Sequence, residues 1–235
     1  MSHESKSGSG CTSGVQQAVS QRHSVRAFTE QGVPHSTLQR IFTAAAQAPS
    51  GGNLQPWQTY VLTGDDLATF LQRVAASIEQ QPMGEDGAYD IYPHPLIEPY
   101  RSRRAECGDD LYKALGIERE DKFGRITQVM KNFEFFGAPV GVFFAIDKSM
   151  GRPQWAHLGM YIQTVMLLAI EEGLASCPQE AWSMRHQTVR EHLGMPDDLE
   201  LYCGLALGYE DVEHPINQFR TTRVPINDNV TFRGF

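Results

Sequence analysis

The sequence predicts a single domain that mixes helices and strands. Three observations carry that expectation. Apolar residues recur at helical spacing in several windows, short β-branched and aromatic runs stand between them, and 41% of the 235 residues are hydrophobic, enough for one full core. Composition also excludes some classes. Lysine plus arginine total 20 against 28 acidic residues, and the net charge of −8 argues against a general nucleic-acid binder. The longest apolar runs, such as residues 140–146, are far too short to cross a bilayer. Residues 1–14 are polar, rich in Ser and Gly and unlike a signal peptide, and they read as a disordered tail. Cys11, Cys107, Cys177 and Cys203 are scattered without ligand spacing. They read as reduced thiols of a soluble cytoplasmic protein, and no metal site is expected.

A helix is expected over residues 15–21, running into Arg22-His23-Ser24-Val25-Arg26-Ala27-Phe28. In an extended segment Arg22, Ser24 and Arg26 share one face, so two guanidinium groups and a hydroxyl converge. That cluster suits a phosphate; a solvated basic turn is the other reading. Ser36 and Gln39 have the spacing of a capping box, ahead of a helix whose Leu38, Ile41, Phe42 and Ala45 form one buried stripe. Pro49 ends that helix near Ala48. The loop Ser50-Gly51-Gly52-Asn53-Leu54-Gln55 follows, and its two glycines let backbone pass close to a ligand. It is either a cradle for a flat, polar-edged ligand or an ordinary helix-to-strand connection.

Residues 57–62 alternate as a strand. A helix carrying Leu67, Phe70, Leu71, Val74 and Ile78 comes next, with Asp65 and Asp66 placed for capping and the helix dipole rather than for catalysis. Residues 82–99 are rich in Pro, Gly and Tyr and lack a period, an excursion of the length that forms lids or binding loops. Tyr100-Arg101-Ser102-Arg103-Arg104 opens a helix to Gly116; its arginines either select an anionic substrate or make surface ion pairs, the commoner use. A further helix is expected over 118–135, and Gly137-Ala138-Pro139 breaks it before a β-branched and aromatic strand at 140–146.

The helix predicted for 155–170 is apolar around most of its circumference, so the core or a partner chain must cover several of its sides. Gly173 is its expected stop. A short strand at 174–177 precedes Pro178-Gln179-Glu180-Ala181-Trp182, then a helix at 184–193 and a last strand at 199–207. The final stretch, 215–235, holds Arg220, Arg223 and Arg233 but too few apolar periods to pack alone. It is either disordered or wrapped over something, such as a second subunit.

The usual catalytic motifs are absent. There is no His-Glu-x-x-His, no Gly-x-Ser-x-Gly elbow around Ser50, no phosphate-binding Gly-x-x-x-x-Gly-Lys loop and no complete Gly-x-Gly-x-x-Gly after a strand. The chemistry is therefore expected to belong to a cofactor that the protein places and polarises.

Five ordered motifs together resemble the nitroreductase family of FMN-dependent oxidoreductases. They are Arg-His-Ser-Val-Arg-Ala-Phe at 22–28, Ala-Pro-Ser-Gly-Gly-Asn-Leu-Gln-Pro-Trp at 48–57, and Asn-Phe-Glu-Phe-Phe-Gly-Ala-Pro-Val at 132–140. Gly-Leu-Ala-Ser-Cys-Pro-Gln-Glu-Ala-Trp at 173–182 and Phe-Arg-Thr-Thr-Arg-Val-Pro at 219–225 complete the set, and the resemblance spans 15–235. It implies an α+β fold, a mixed central sheet flanked by helices, in an intertwined homodimer with exchanged C-terminal tails and two FMN sites at the interface. It also implies that Arg22, Ser24, Arg26 and Arg223 hold the FMN phosphate and ribityl chain, with His23 inside the same motif. Thr221 stands where many members carry a lysine, which shifts weight to Arg220 or Arg223. Pro49, Ser50, Gly51, Asn53 and Gln55 would reach the flavin of the other subunit. Pro178, Gln179 and Glu180 would lie beside the ring, with a backbone N–H near the nitrogen that accepts hydride.

The implied activity is ping-pong transfer from NAD(P)H to an electron-poor acceptor, a nitroaromatic or quinone, with no side-chain acid, base or nucleophile named. A dehalogenase, an activated-alkene reductase and a flavin carrier without turnover are the alternatives. A long insertion over roughly 81–125 would cover the flavin face, and Tyr100, Arg103 and Arg104 are candidates for contact with a substrate carboxylate.

Overall fold

The computed structural model describes residues 14–234. The tail expected over 1–14 thus falls outside the described residues, except for Gly14, which opens α1 (Gly14–Gln21). In chain order follow α2 (His35–Ala45), β1 (Trp57–Thr63), α3 (Gly64–Gln80), α4 (Tyr100–Ala114), α5 (Lys122–Met130) and β2 (Val140–Asp147). The second half adds α6 (Arg152–Glu171), β3 (Ala175–Gln179), α7 (His186–Leu193), β4 (Leu199–Gly208) and the single-turn α8 (Pro215–Gln218).

The strands form one sheet in the order β1-β2-β4-β3. All three pairings are antiparallel, which corrects the expected mixed sheet. The parallel component is confined to an isolated bridge, Ser24 with Ser176. Non-local order with short antiparallel strands and helices on both faces is an α+β architecture, as expected.

Both sheet faces are buried, and β2 shows how. Val140, Val142, Phe144 and Ile146 point to a core shared with Leu38 and Ile41 of α2 and Leu158, Ile162 and Val165 of α6. Phe143 and Ala145, the alternate residues, point to the other core, with Phe70 and Val74 of α3 and Trp182. A strand covered on both faces must be apolar at every position, which is why 140–146 reads as an unbroken apolar run. The amphipathic helices behave as their stripes require. Leu38, Ile41 and Ala45 of α2 are buried, as are Leu67, Phe70 and Val74 of α3.

β4 does not keep one register. Phe144 pairs with Cys203 but Ala145 pairs with Leu201, so Tyr202 is an extra residue, a β-bulge. Its consequence is visible in the packing. Leu199 and Leu201 belong to the core around Trp182, whereas Cys203, Leu205 and Leu207 belong to the core under α6. Tyr202 packs on the same side as Cys203, so two successive side chains share a face where simple alternation would separate them.

Local departures from expectation have physical reasons. The capping box of Ser36 and Gln39 does not form, because the helix starts at His35 with Pro34 as its N-cap and no side-chain cap bond. Asp65 and Asp66 lie in the first turn of α3 without a side-chain cap bond, so the dipole is their contribution there. The single helix expected over 118–135 stops at Met130 and tightens into the 3₁₀ segment Lys131–Gly137. Within it Phe135 and Phe136 adopt left-handed φ values of 48° and 54°. The reward is an aromatic cluster. Trp182 meets Phe70, Phe133, Phe135 and Phe143 at ring separations of 5.4, 5.4, 4.7 and 5.2 Å. The strand expected at 174–177 is displaced to Ala175–Gln179, and the helix expected at 184–193 is divided into the 3₁₀ segment Glu180–Arg185 and α7.

That cluster depends on a missing side chain. A Cβ on Gly204 would lie 2.3 Å from Cδ1 of Trp182, which is itself fully buried. Gly204→Ala should therefore destabilise the fold by about 1–3 kcal/mol through overpacking. Urea denaturation followed by tryptophan fluorescence measures it, and an unchanged midpoint would contradict the packing argument.

Candidate functional site

Residues 22–28 run extended alongside β3, and the alternation predicted from sequence is realised. Val25 and Ala27 are buried, and the Val25 N–H donates to the Ser176 carbonyl at 3.1 Å. Arg22, Ser24 and Arg26, the alternate residues, are half-buried, and all three influence the buried Cys177 thiol of β3. Burial pushes that thiol up, while the Arg26 charge, a hydrogen bond with Ser24 and the Arg22 charge oppose the shift. His23, by contrast, is turned to Glu210, with Nε2 3.1 Å from its Oε1, and does not join the arginine face.

The start of the C-terminal tail is tied to the same segment by Asn217, a residue sequence reasoning missed. Its Oδ1 accepts from the Arg26 N–H at 2.9 Å, and its Nδ2 donates to the carbonyls of Ala27 and Asp211, both at 2.8 Å. Arg220 donates to the Asn217 and Phe219 carbonyls, and Arg223 to the Thr221 hydroxyl at 2.6 Å. Among the described residues, Arg22, Arg26, Arg220 and Arg223 make no ion pair with a carboxylate. Four guanidinium groups gathered on two neighbouring segments without acidic partners there suit an external anion.

From this cluster β3 leads directly to a cavity of about 660 Å³. Pro178, Gln179 and Glu180 form one wall, where β3 gives way to the 3₁₀ segment. Tyr202 and Cys203, the pair aligned by the bulge, form another, facing Ile162 and Met166 of α6. The Gln179 side chain is fully used. Its Nε2 donates to the Asn132 carbonyl at 2.7 Å, and its Oε1 accepts from the Trp182 indole at 3.3 Å. What Gln179 can offer a ligand is therefore its backbone, held still by those bonds. Glu180 is different: the residue stands exposed at the cavity, and the partial burial of its carboxyl pushes it up, with Tyr202 opposing the shift.

The excursion at 82–99 contains no helix or strand, and it closes the cavity with Ile91 and Tyr92. Its root is fastened to the wall segment. Glu85 N–H donates to the Met184 carbonyl at 2.8 Å and Ala88 N–H to that of Ser183 at 3.2 Å. The Glu85 carboxylate accepts from the N–H groups of Gln187 and Thr188 at 2.6 and 3.1 Å, covering the start of α7. Arg185, with 1% exposure, donates to Ser77 Oγ and the Gln81 carbonyl at 3.1 and 2.7 Å. Tyr89 donates its hydroxyl to the Tyr202 carbonyl.

Other expected residues lie apart. Pro49, Ser50, Gly51, Asn53 and Gln55 line none of this cavity within one chain; Gly51 lies against α6, where an added Cβ would sit 3.1 Å from His157. The loop is nevertheless shaped: Gln55 N–H donates to Ser50 Oγ at 2.9 Å, and Asn53 and Gln55 hold φ of 54° and 47°. Of the α4 candidates, the Arg104 guanidinium lies 4.2 Å from the ring centre of Tyr92 at the cavity. Tyr100 and Arg103 face each other at 5.9 Å and contribute no cavity wall.

A cavity with one wall at Pro178–Glu180, beside a cluster of arginines, suits a flat anionic coenzyme. The comparisons agree. The Nitroreductase family model matches residues 19–209, and the chain belongs to that family. A 4-nitrobenzoate reductase of Nocardioides sp. (strain LMS-CY) is 36% identical over 221 residues, covering 90% of this chain and 86% of that protein. The crystal structure of an FMN and NADPH-dependent nitroreductase from Sphigopyxis sp. strain HMH superposes with a TM-score of 0.91 at 48% identity, over 94% of this chain and 99% of that one. An FMN-dependent nitroreductase from Mycobacterium smegmatis, solved in complex with NADPH, gives a TM-score of 0.88 at 28% identity, over 94% and 98%.

Asn217 is fully buried, so Asn217→Ala leaves the Arg26 N–H and the Ala27 carbonyl without partners. A loss of about 2–3 kcal/mol is expected for stranding such groups. Thermal melts should register it, and limited proteolysis should cut the tail after Gln218 sooner than in the wild type.

Proposed function

We propose that the protein is an FMN-dependent NAD(P)H oxidoreductase that reduces electron-poor acceptors, nitroaromatics first among them. One observation carries the reading: the arginine face of residues 22–26 lies at the end of β3, and the same strand leads into the cavity. An elongated ligand with an anionic tail and a flat ring fits that sequence of groups. The cavity lies within the range of about 300–1,000 Å³ used by small-molecule ligands. Arg22, Ser24 and Arg26 would take the phosphate, with Arg220 and Arg223 near it on the tail. The fixed backbone of Pro178–Glu180 would face the ring, its N–H groups stabilising negative charge there. FMN, when bound, supplies the two-electron carrier between nicotinamide and acceptor, in two half-reactions that share one site.

We further propose a homodimer with exchanged tails. β1 is a sheet edge with unpaired backbone groups, and a groove of about 500 Å³ runs beside it, lined by Phe42, Thr59, Val61 and Tyr161. A second hollow lies between α1 and the outer side of α6, at Val15, Leu167 and Leu168. Ile226 and Val230 of the tail and Phe123 and Ile126 of α5 stand exposed, so the chain carries both grooves and apolar groups to fill them. In that assembly the loop 49–55 would meet the partner's cavity, which explains why it meets none in its own chain. Arg104, stacked on Tyr92, is proposed to favour acceptors that carry a carboxylate. The curated relatives are named as nitrobenzoate and nitrobenzene reductases, which favours nitroarenes over quinones, halophenols or activated alkenes.

The purified protein should be yellow, lose its visible absorbance with NADPH under anaerobic conditions and regain it with a nitroarene. A colour that NADH and NADPH both leave intact would sink the reductase and favour a flavin carrier. Two charge-assisted contacts at about 1.5–3 kcal/mol each predict that the Arg22→Ala, Arg26→Ala double variant binds FMN on the order of 10²–10⁴-fold more weakly. Fluorescence titration of the apoprotein reads this directly.

A further inference from the structure

The roof of the cavity continues outward as a row of alternating rings and guanidinium groups. Tyr92 lines the cavity yet is 42% exposed, so it stands at the rim. The Arg104 guanidinium lies 4.2 Å from the centre of its ring. Arg104 belongs to the start of α4, which also carries Tyr100 and Arg103. Residues three and four apart are neighbours on a helix surface, so Tyr100 is flanked by both arginines. Arg103 reaches over the Tyr100 ring at 5.9 Å, and Tyr100 is 56% exposed. The row therefore runs Tyr92, Arg104, Tyr100, Arg103, from the cavity rim into solvent.

The charges in this row are kept where the helix does not favour them. The first turn of α4 holds no acidic residue, and cations there oppose the helix dipole. One acid stands just before the helix, Glu98, and it is already engaged: its carboxylate accepts from Arg101 Nε and Ser102 Oγ, both at 2.7 Å. Arg103 and Arg104 make no ion pair with a carboxylate among the described residues. α4 buries no residue, so packing does not account for these side chains either.

We propose that this row binds the adenosine 2′-phosphate of NADPH and makes NADPH the preferred reductant; the proposal rests on the flavin-dependent reading above. A nicotinamide that meets a flavin ring at Pro178–Glu180 occupies the cavity, and the adenosine half of the dinucleotide must then leave past the rim. There an exposed tyrosine ring offers adenine a stacking surface, and two guanidinium groups offer forked donors to a phosphate. NADH carries a hydroxyl where NADPH carries that phosphate. Sites that select NADH place a carboxylate on this hydroxyl, and Glu98 is already consumed by its own neighbours. In the second half-reaction the dinucleotide has left, so Arg104 can then meet the carboxylate of an acceptor. One guanidinium serves both halves in turn.

The test measures the reductive half alone, by stopped flow on the holoenzyme, with NADPH and with NADH. The wild type should bleach the flavin more efficiently with NADPH, by a ratio on the order of 10- to 100-fold, as charge-assisted contacts to one phosphate supply. Arg103→Ala and Arg104→Ala should each lower that ratio, and the double variant should bring it close to one. Both side chains are exposed, so these variants keep the fold. Arg104→Lys keeps the charge without the fork and should retain part of the preference. Added salt should compress the wild-type ratio, because the site is open to solvent. A second measurement needs no turnover: by calorimetry, adenosine 2′,5′-bisphosphate should bind the holoenzyme more tightly than adenosine 5′-monophosphate, and the double variant should lose that difference. Equal efficiency with the two nicotinamides, an unchanged ratio in the double variant, or equal binding of the two nucleotides would overturn the proposal. So would an Arg104→Ala variant that slows only the reduction of 4-nitrobenzoate, which would leave the guanidinium to the acceptor alone. If neither nicotinamide bleaches the flavin, the reductase reading itself falls. If both bleach it without preference, only this site is wrong.

Discussion

A sheet of four strands, buried on both faces, sets the terms for everything else in this molecule. Covering both faces forces β2 and most of β4 to be apolar throughout, so polar chemistry cannot be placed in the middle of the sheet without leaving groups unsatisfied. The site therefore sits where regularity ends. It occupies the exit of β3 at Pro178 and the one place where β4 breaks register. Trp182 secures both. It plugs the core under Gly204 of β4, and its indole donates to Gln179, so this wall of the cavity is anchored from inside the hydrophobic cluster.

Electrostatics follows the same geography. The molecule is acidic overall, yet its extended segment at 22–26 and the base of its tail hold arginines that find backbone and hydroxyl oxygens instead of carboxylates. Some arginines elsewhere are neutralised by carboxylates, as Arg40 is by Glu172 at 2.6 Å and Arg190 by Asp197 at 2.9 Å. Asn217 is the hinge between the extended segment and the tail, since one buried amide fastens tail, bridge segment and loop with three hydrogen bonds.

Much of this was legible in the residues, and the reasons are specific. Periodicity located α2, α3, α6 and the central strand, because each buries a continuous stripe or run. The alternation of Arg22, Ser24 and Arg26 was legible because the segment does pair as a strand beside Ser176. The bulge at Tyr202 was not, since 199–207 is apolar enough on either phase to conceal a slip of one residue. The left-handed turn at Phe135 and Phe136 was hidden too, because local propensity continues a helix there and only the distant Trp182 makes the turn worthwhile. Asn217 gave no signal, as a polar residue in a tail reads as exposed until its partners are known. The antiparallel register of the sheet also lay beyond the sequence, which specifies strands more readily than their neighbours.

The fastening of the excursion's root has a consequence for how this scaffold can change. Glu85, Ala88 and Arg185 weld residues 81–88 to the wall at Glu180–Arg185, so displacement there would drag that cavity wall with it. Beyond Tyr89 no such weld ties residues 91–99 to that wall. Drift in those residues can reshape the roof of the cavity while its floor stays in place, so the enclosed space can change piecemeal, without rebuilding what lies underneath.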